Sequence, residues 1–282
     1  MEEATVIWLQ YAIFQRAIIG CIFTGLLTGL MGVFVVRMRL TTIGYSMAHS
    51  AFAGAALGVA LSASVAVDPL ATAIAFSTAT AFFIGPAADK ARLPIDTVTS
   101  IAFSLNMALA FIFLTLSPQV GLSSEVASVL WGSIVAINNR DLIFLVALTS
   151  TVLALIYLFW KELFAIMFDR RMAEADGIST KPFIYFTIFM VGIVVAFSLK
   201  LVGGILIYAL LFNPASSALQ FSHDMRKIIV MSPILGIVSC LSGFLLSFIF
   251  DIPVGSCIAL VSTMIFAVSV ILSPKKRREV KA

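Results

Sequence analysis

The chain reads as an all-α, polytopic transmembrane helical bundle, and three features carry that reading. Of its 282 residues, 61% are hydrophobic and 11% charged, with a mean hydropathy of +1.11; ordinary soluble domains run at roughly 45–50% apolar and about 25% charged. The apolar residues fall into stretches of about 20, the length that carries an α-helix across a hydrocarbon layer of about 30 Å. The basic residues gather in alternate connections, as the orientation of membrane helices requires. No polar stretch exceeds about twenty residues, too few for a folded soluble domain, so residues 1–282 read as one transmembrane domain.

About nine spans (eight to ten) are expected. They run from Ala12 to Val36, Met47 to Val67, Pro69 to Ala87, Thr97 to Leu116, Leu142 to Trp160, Pro182 to Leu199, Leu201 to Leu219, Ile228 to Phe250 and Pro253 to Leu272. Pro69, Pro94, Pro182 and Pro253 favour helix starts, where a missing amide hydrogen costs little. Asp68-Pro69 and Asp251-Ile252-Pro253 therefore predict tight hairpins. The run 126–137 is apolar but too short to span, and reads as a re-entrant or interfacial segment. Glu2 and Glu3 precede an apolar run longer than a signal-peptide core, so the first stretch is expected to remain as a span.

With the N-terminus outside, all of the 18 lysines and arginines except Arg16, Arg140 and Lys200 fall in cytoplasmic connections, as the positive-inside rule asks. The net charge of +4 follows from those loops rather than from a nucleic-acid surface, so no nucleic acid is expected as a partner. Cys21, Cys240 and Cys257 are odd in number and widely spaced within apolar runs, which indicates packing rather than a disulfide or metal framework.

The largest cytoplasmic connection, 161–181, predicts a short helix. Leu163, Phe164, Met167, Met172 and Ala175 line one face, with Asp169, Arg170, Arg171, Glu174 and Asp176 outside it and Gly177 as the cap. It reads either as a helix lying in the lipid interface or as a docking surface for a cytoplasmic partner.

Two segments could carry chemistry. In Gly44 to Gly58, Ser46, Ser50, Gly54 and Gly58 form a small-residue stripe, and Tyr45 and His49 are neighbours one turn apart. An ionisable group inside a span is costly unless it meets a partner or an aqueous cavity. His49 reads equally as a packed residue or as a ligand for zinc, iron, nickel or copper, less specifically for manganese, with the hydroxyls of Tyr45 or Ser46 as secondary donors if two copies face each other. In Ser198 to Ala218, Pro214 removes a backbone hydrogen bond in mid-span, and the Asn213 amide beside it needs a partner. Ser216 or Ser217 could instead cap a purely structural kink. His223 reads as solvated and Asp96 as a helix-start carboxylate. The absence of GxxxxGK[ST], HExxH and GxSxG motifs argues against a phosphate loop, protease or hydrolase in this chain.

Four passages in order, Gly44 to Gly58, Asp96-Thr97, Leu130 to Ile134, and Phe168 to Ile178 followed by Gly203 to Ala218, resemble the membrane subunits of manganese, zinc and iron ABC importers, over about Gly25 to Leu272. The resemblance implies a non-enzymatic permease in a prokaryotic cell membrane, paired with a second copy as a homodimer or with a close relative. It implies a cytoplasmic ABC ATPase dimer, an extracytoplasmic substrate-binding protein, no intrinsic cofactor, and ATP bound by the partner subunit. Phe168, Asp169, Arg170, Glu174, Ala175 and Gly177 would couple to the ATPase. Tyr45, Ser46, His49 and Asn213 would line the substrate pathway, with His49 as the metal contact. The family usually keeps an aspartate where this chain has Tyr45, and commonly an apolar residue where it has Asn213. Loss of that carboxylate removes a negative charge and a hard oxygen ligand, which leaves a different metal, a chelate, or a path without a strong site as readings. A secondary transporter or channel acting without an ATPase is the competing expectation, with His49 relaying protons. A third is a non-transporting membrane scaffold built on the small-residue stripes.

Overall fold

The structure, a computed structural model, describes residues 2–62, 67–116, 132, 137–203 and 207–273. Eleven α-helices, and no strands, occur among them. They are α1 (Glu2–Arg37), α2 (Ile43–Ser62), α3 (Pro69–Ala91), α4 (Ile95–Leu116), α5 (Asn139–Leu158), α6 (Trp160–Phe168), α7 (Arg170–Ala175), α8 (Thr180–Val202), α9 (Ile207–Phe221), α10 (Met225–Phe250) and α11 (Val254–Ile271). Seven of them, α1, α3, α4, α5, α8, α10 and α11, are long and apolar enough to cross a membrane. The two remaining expected spans correspond to α2, diluted by its small and polar residues, and α9, which is described over 15 residues. The run 126–137 lies outside the described residues, apart from Gly132 and Ile137.

The hairpins form where aspartate and proline place them. Asp68 caps α3 through a hydrogen bond from the Leu70 amide, 2.9 Å, with Pro69 opening the helix. Asp251 closes α10 in the left-handed region, φ 54°, and the Ser247 hydroxyl donates to the Ile252 carbonyl across the turn, 2.5 Å. Other boundaries move. Helix α2 starts at Ile43, four residues before the expected Met47, so Tyr45 and Ser46 lie inside its first turns. Helix α8 runs on to Val202 and ends at Gly203, φ 88°, so Leu201 and Val202, expected to open the next span, belong to α8, and the next described helix is Ile207–Phe221.

Two groups of helices emerge. Helices α2, α3, α4 and α8 pack on one another, as do α1, α9, α10 and α11; α5 lies chiefly against α1, and the groups meet mainly where α8 faces α1 and α2 faces α9. Small residues allow backbones in both groups to touch, the usual device where lipid supplies no hydrophobic drive for helix association. In α1 and α10, a Cβ on Gly236 would lie 2.2 Å from the Gly25 carbonyl oxygen, and the Ser232 hydroxyl donates to the Gly29 carbonyl at 2.5 Å. In α2 and α3, a Cβ on Gly54 would lie 2.5 Å from the Thr72 carbonyl oxygen, and one on Gly58 2.7 Å from Pro69 Cα. The α2 stripe is therefore filled from Ser50 to Gly58 by α3 of the same chain. Gly236→Leu should cost about 3 kcal/mol or more, the upper range for overpacking, because rigid backbone cannot yield as a side chain can. A sharp fall in detergent melting temperature and in yield of folded protein would report it.

Candidate functional site

The early start of α2 places Tyr45 and His49 on successive turns. The His49 ring is nearly buried, at 8% exposure, and its Nδ1 lies 2.9 Å from the Tyr45 carbonyl oxygen. A carbonyl can only accept, so Nδ1 carries the proton and, in the neutral ring, Nε2 keeps its lone pair. Aromatic rings enclose it. Tyr45 lies 4.3 Å from His49 between ring centroids, Phe103 of α4 lies 4.7 Å from His49 and 4.6 Å from Tyr45, and Tyr208 of α9 meets Tyr45 edge-on at 5.4 Å. Tyr45 is 39% exposed, which puts this cluster at the edge of the single chain. Among the described residues, no three His, Cys, Asp or Glu side chains converge on one point. One chain thus offers a neutral imidazole nitrogen and phenol oxygens, with no formal negative charge in the cluster.

The other residues expected to line a pathway are placed differently. Ser46 is fully buried, and its hydroxyl has no hydrogen-bond partner among the described residues. The Asn213 amide donates to the Thr263 hydroxyl of α11 at 3.0 Å. At about 100° per residue, Asn213 is turned about 140° around α9 from Tyr208, so the structure does not bring it to the His49 cluster. Pro214 lies inside α9, and the Ser217 hydroxyl donates to the Asn213 carbonyl one turn before it at 2.7 Å, not to the Leu210 carbonyl, which is the one that loses its amide partner to the proline.

The 161–181 segment corrects one expectation. It forms two helices rather than one, because Asp169 leaves the helical region at φ −155°, ψ 118° and caps the second, accepting from the Arg171 and Met172 amides at 2.7 and 3.0 Å. The break resets the phase of the apolar face. Leu163, Ile166, Met167 and Ala173 are buried, whereas Met172, at 61% exposure, and Ala175 face outward with Phe168, at 67%. Gly177 follows the second helix at φ 84°, as expected of the cap, and the Ile178 amide closes the turn on the Ala173 carbonyl at 3.0 Å.

Glu174 is held by the Thr180 hydroxyl at 2.5 Å and the Arg170 guanidinium at 3.0 Å. The Thr180 hydroxyl first, and Arg170 after it, keep this carboxyl below its ordinary value. Being depressed in the fold, it contributes stability above its unfolded value of about 4.3 and loses that contribution as pH falls through the lower folded value. The protection of residues 170–180 against hydrogen exchange, taken relative to the intrinsic rate at each pH, should fall on acidification below about pH 4, and Glu174→Gln should remove that pH dependence. Beside the segment lies a cleft of about 840 Å³, bordered by Arg37, Arg39, Arg170, Arg171 and Lys181 and by Asp89, Asp96 and Asp169. The Thr42 hydroxyl donates to Asp96 there at 2.8 Å, tying the turn before α2 to the start of α4.

Sequence reasoning missed Phe103 as a neighbour of His49 and Tyr208 as a neighbour of Tyr45. Nothing in the local pattern marks Phe103, whose role comes from the packing of α4 on α2. Tyr208 lay within a segment singled out for Pro214.

Residues 10–273 match the model of the ABC 3 transport family. The chain belongs to that family. This ABC 3 member is 31% identical over 278 residues to a manganese transport system membrane protein, MntC, of Listeria monocytogenes, covering 96% of this chain and 97% of that one. It is 28% identical to a manganese import system permease protein, ScaB, of Streptococcus gordonii, over 93% of this chain and 92% of the other. Among solved structures, PsaBC from Streptococcus pneumoniae in complex with Fab superposes with a TM-score of 0.82 at 26% identity over the whole of both chains. An inward-facing putative metal-chelate type ABC transporter, at 20% identity and a TM-score of 0.71 over 93% of this chain and 88% of that one, shares the fold. The ABC 3 member is a multi-pass membrane protein of a transport family, in agreement with the resemblance carried by the four ordered passages.

Proposed function

We propose that this chain is the permease subunit of an ATP-driven ABC importer that moves a transition metal ion, manganese, zinc or iron, or a complex of one, into the cytoplasm. The family match over residues 10–273 carries the reading. The exposed Phe168 and Met172 fit the role of knobs on which a cytoplasmic ATPase dimer docks. The bundle end bearing them is the basic one, which by the positive-inside rule faces the cytoplasm and sets the N-terminus outside. Tyr45 and His49 line the path, and the exposure of Tyr45 at the edge of the chain supports a path completed by a second copy, with cargo delivered by an extracytoplasmic binding protein. Because Tyr45 replaces a carboxylate, the site favours a cation that accepts nitrogen ligands, or a chelate that brings its own charge, over a bare hard cation.

Liposomes containing the complete complex test this with manganese, zinc and iron(II), each supplied free and chelated. Uptake should require ATP and the ATPase subunit. Uptake by this chain alone, driven by a proton gradient, would overturn the importer reading in favour of a secondary transporter.

A further inference from the structure

We propose that Asp89 is a positioning residue that links displacement of the 161–181 segment to the Tyr45–His49 pair, a role that rests on the importer function proposed above. Helix α8 begins at Thr180, in the last two residues of the segment, so any movement of the docked helices enters α8 at its first turn. There Asp89, near the end of α3, accepts hydrogen bonds from Lys181 Nζ at 3.0 Å and from the Tyr185 hydroxyl. One turn deeper the Tyr185 ring rests on Gly85, where a Cβ would lie 2.5 Å from it. Deeper still, the Ser77 hydroxyl of α3 sits within hydrogen-bonding distance of the Gly192 carbonyl of α8, 3.2 Å, and of the Met47 carbonyl of α2, 3.4 Å. The Ser50 hydroxyl of α2 pairs with Thr80 of α3 at 2.6 Å, and Ser50 is the residue after His49.

Helices α8, α3 and α2 are thus stitched together in sequence, from the end where the segment sits to the helix that carries the site. Tyr208 belongs to the other group of helices, so a shift of the stitched block relative to α9 changes the Tyr45–Tyr208 contact. Packed interfaces of this kind switch between discrete arrangements rather than deform smoothly.

Among the described residues, Lys181–Asp89 is the ion pair that joins two long helices; the other, Arg170–Glu174, closes within the segment and its helix. The Lys181 and Asp89 side chains are 60% and 47% exposed, and such a pair adds little to folding stability. Its removal therefore leaves the bundle intact and loosens the joint at which movement enters. Lying between two sites does not make a residue part of their coupling, so the deciding quantity is metal taken up per ATP hydrolysed.

That ratio is measured in liposomes holding the full complex with its ATPase and binding protein, with manganese, zinc and iron(II) as probes. Asp89→Asn should lower it about five-fold, the factor that about 1 kcal/mol makes in a two-state population, while melting temperature and ATPase co-purification stay near wild type. Asp89→Glu should recover most of the loss, and Tyr185→Phe and Lys181→Ala should each reproduce part of it. An unchanged ratio in Asp89→Asn overturns the proposal, and so does a fall matched by lost stability or lost ATPase association. If the unmutated complex shows no ATP-dependent uptake, the importer reading fails first, a result visible before any variant is made.

Discussion

His49→Ala is expected to cut ATP-driven metal uptake at least ten-fold while lowering the melting temperature of the complex by only a few degrees. The two effects separate for a physical reason. As a packed residue, the imidazole contributes contacts with the rings of Tyr45 and Phe103, at centroid distances of 4.3 and 4.7 Å, and aromatic contacts of this kind are worth about 0.5–1.5 kcal/mol each. As a ligand it presents the one nitrogen lone pair of the cluster, because the hydrogen bond to the Tyr45 carbonyl reserves the proton for Nδ1. Removing even an outer-shell partner of a metal typically costs 10–100-fold in affinity or activity, and a direct contact should cost no less. His49→Gln, which keeps polarity and approximate volume but lacks the imidazole, should resemble the alanine variant in uptake and the wild type in stability. Uptake at the wild-type rate by a well-folded His49→Ala complex would return the residue to packing. Tyr45→Asp provides the complementary measurement: a carboxylate beside His49 should raise manganese uptake relative to zinc, since manganese favours hard oxygen ligands.

Phe168→Ala should weaken association with the ATPase about 30-fold, the factor that a loss of about 2 kcal/mol produces at an interface hot spot. Phe168 is the largest outward-facing apolar side chain of the 161–181 segment and is 67% exposed, so the isolated permease should lose almost no stability when it is truncated. Binding of the purified ATPase to the permease in detergent or nanodiscs reads the change, and a melting curve of the permease alone supplies the control. Unchanged ATPase binding would show that the segment lies in the lipid interface instead, the other role its apolar face suggested. Met172→Ala, on the second helix of the segment and 61% exposed, should give a smaller loss, because methionine buries less rigid area than an aromatic ring.

Local physics determined much of this protein from sequence alone. Runs of about 20 apolar residues gave the all-α membrane class and most of the spans, because in hydrocarbon the backbone must satisfy its own hydrogen bonds within each segment. Asp68-Pro69 and the Asp251 turn were legible for the same reason: an aspartate that caps and a proline that lacks an amide hydrogen act within a few residues. The glycine at 177 was readable as a terminator because a left-handed φ is cheap only without a Cβ. The ordered passages carried the family, and the departure that the resemblance implies at Tyr45 was read from the same one-dimensional pattern.

Tertiary structure decided what periodicity cannot. Hydrophobicity does not distinguish the faces of a helix that is apolar all round, so the choice of α3 as the partner for Ser50, Gly54 and Gly58 rests on backbone fit. The 161–181 segment continued in helical phase on paper, but the Asp169 side chain captured two amides and turned Met172 outward. Asn213, adjacent in sequence to a proline that suggested a cavity, spends its amide on Thr263. Phe103 and Tyr208 reach the His49 cluster only because α4 and α9 pack against α2. The sequence thus supplied the helices and the residue that could hold a cargo, while contacts between residues more than fifty positions apart determined what surrounds it.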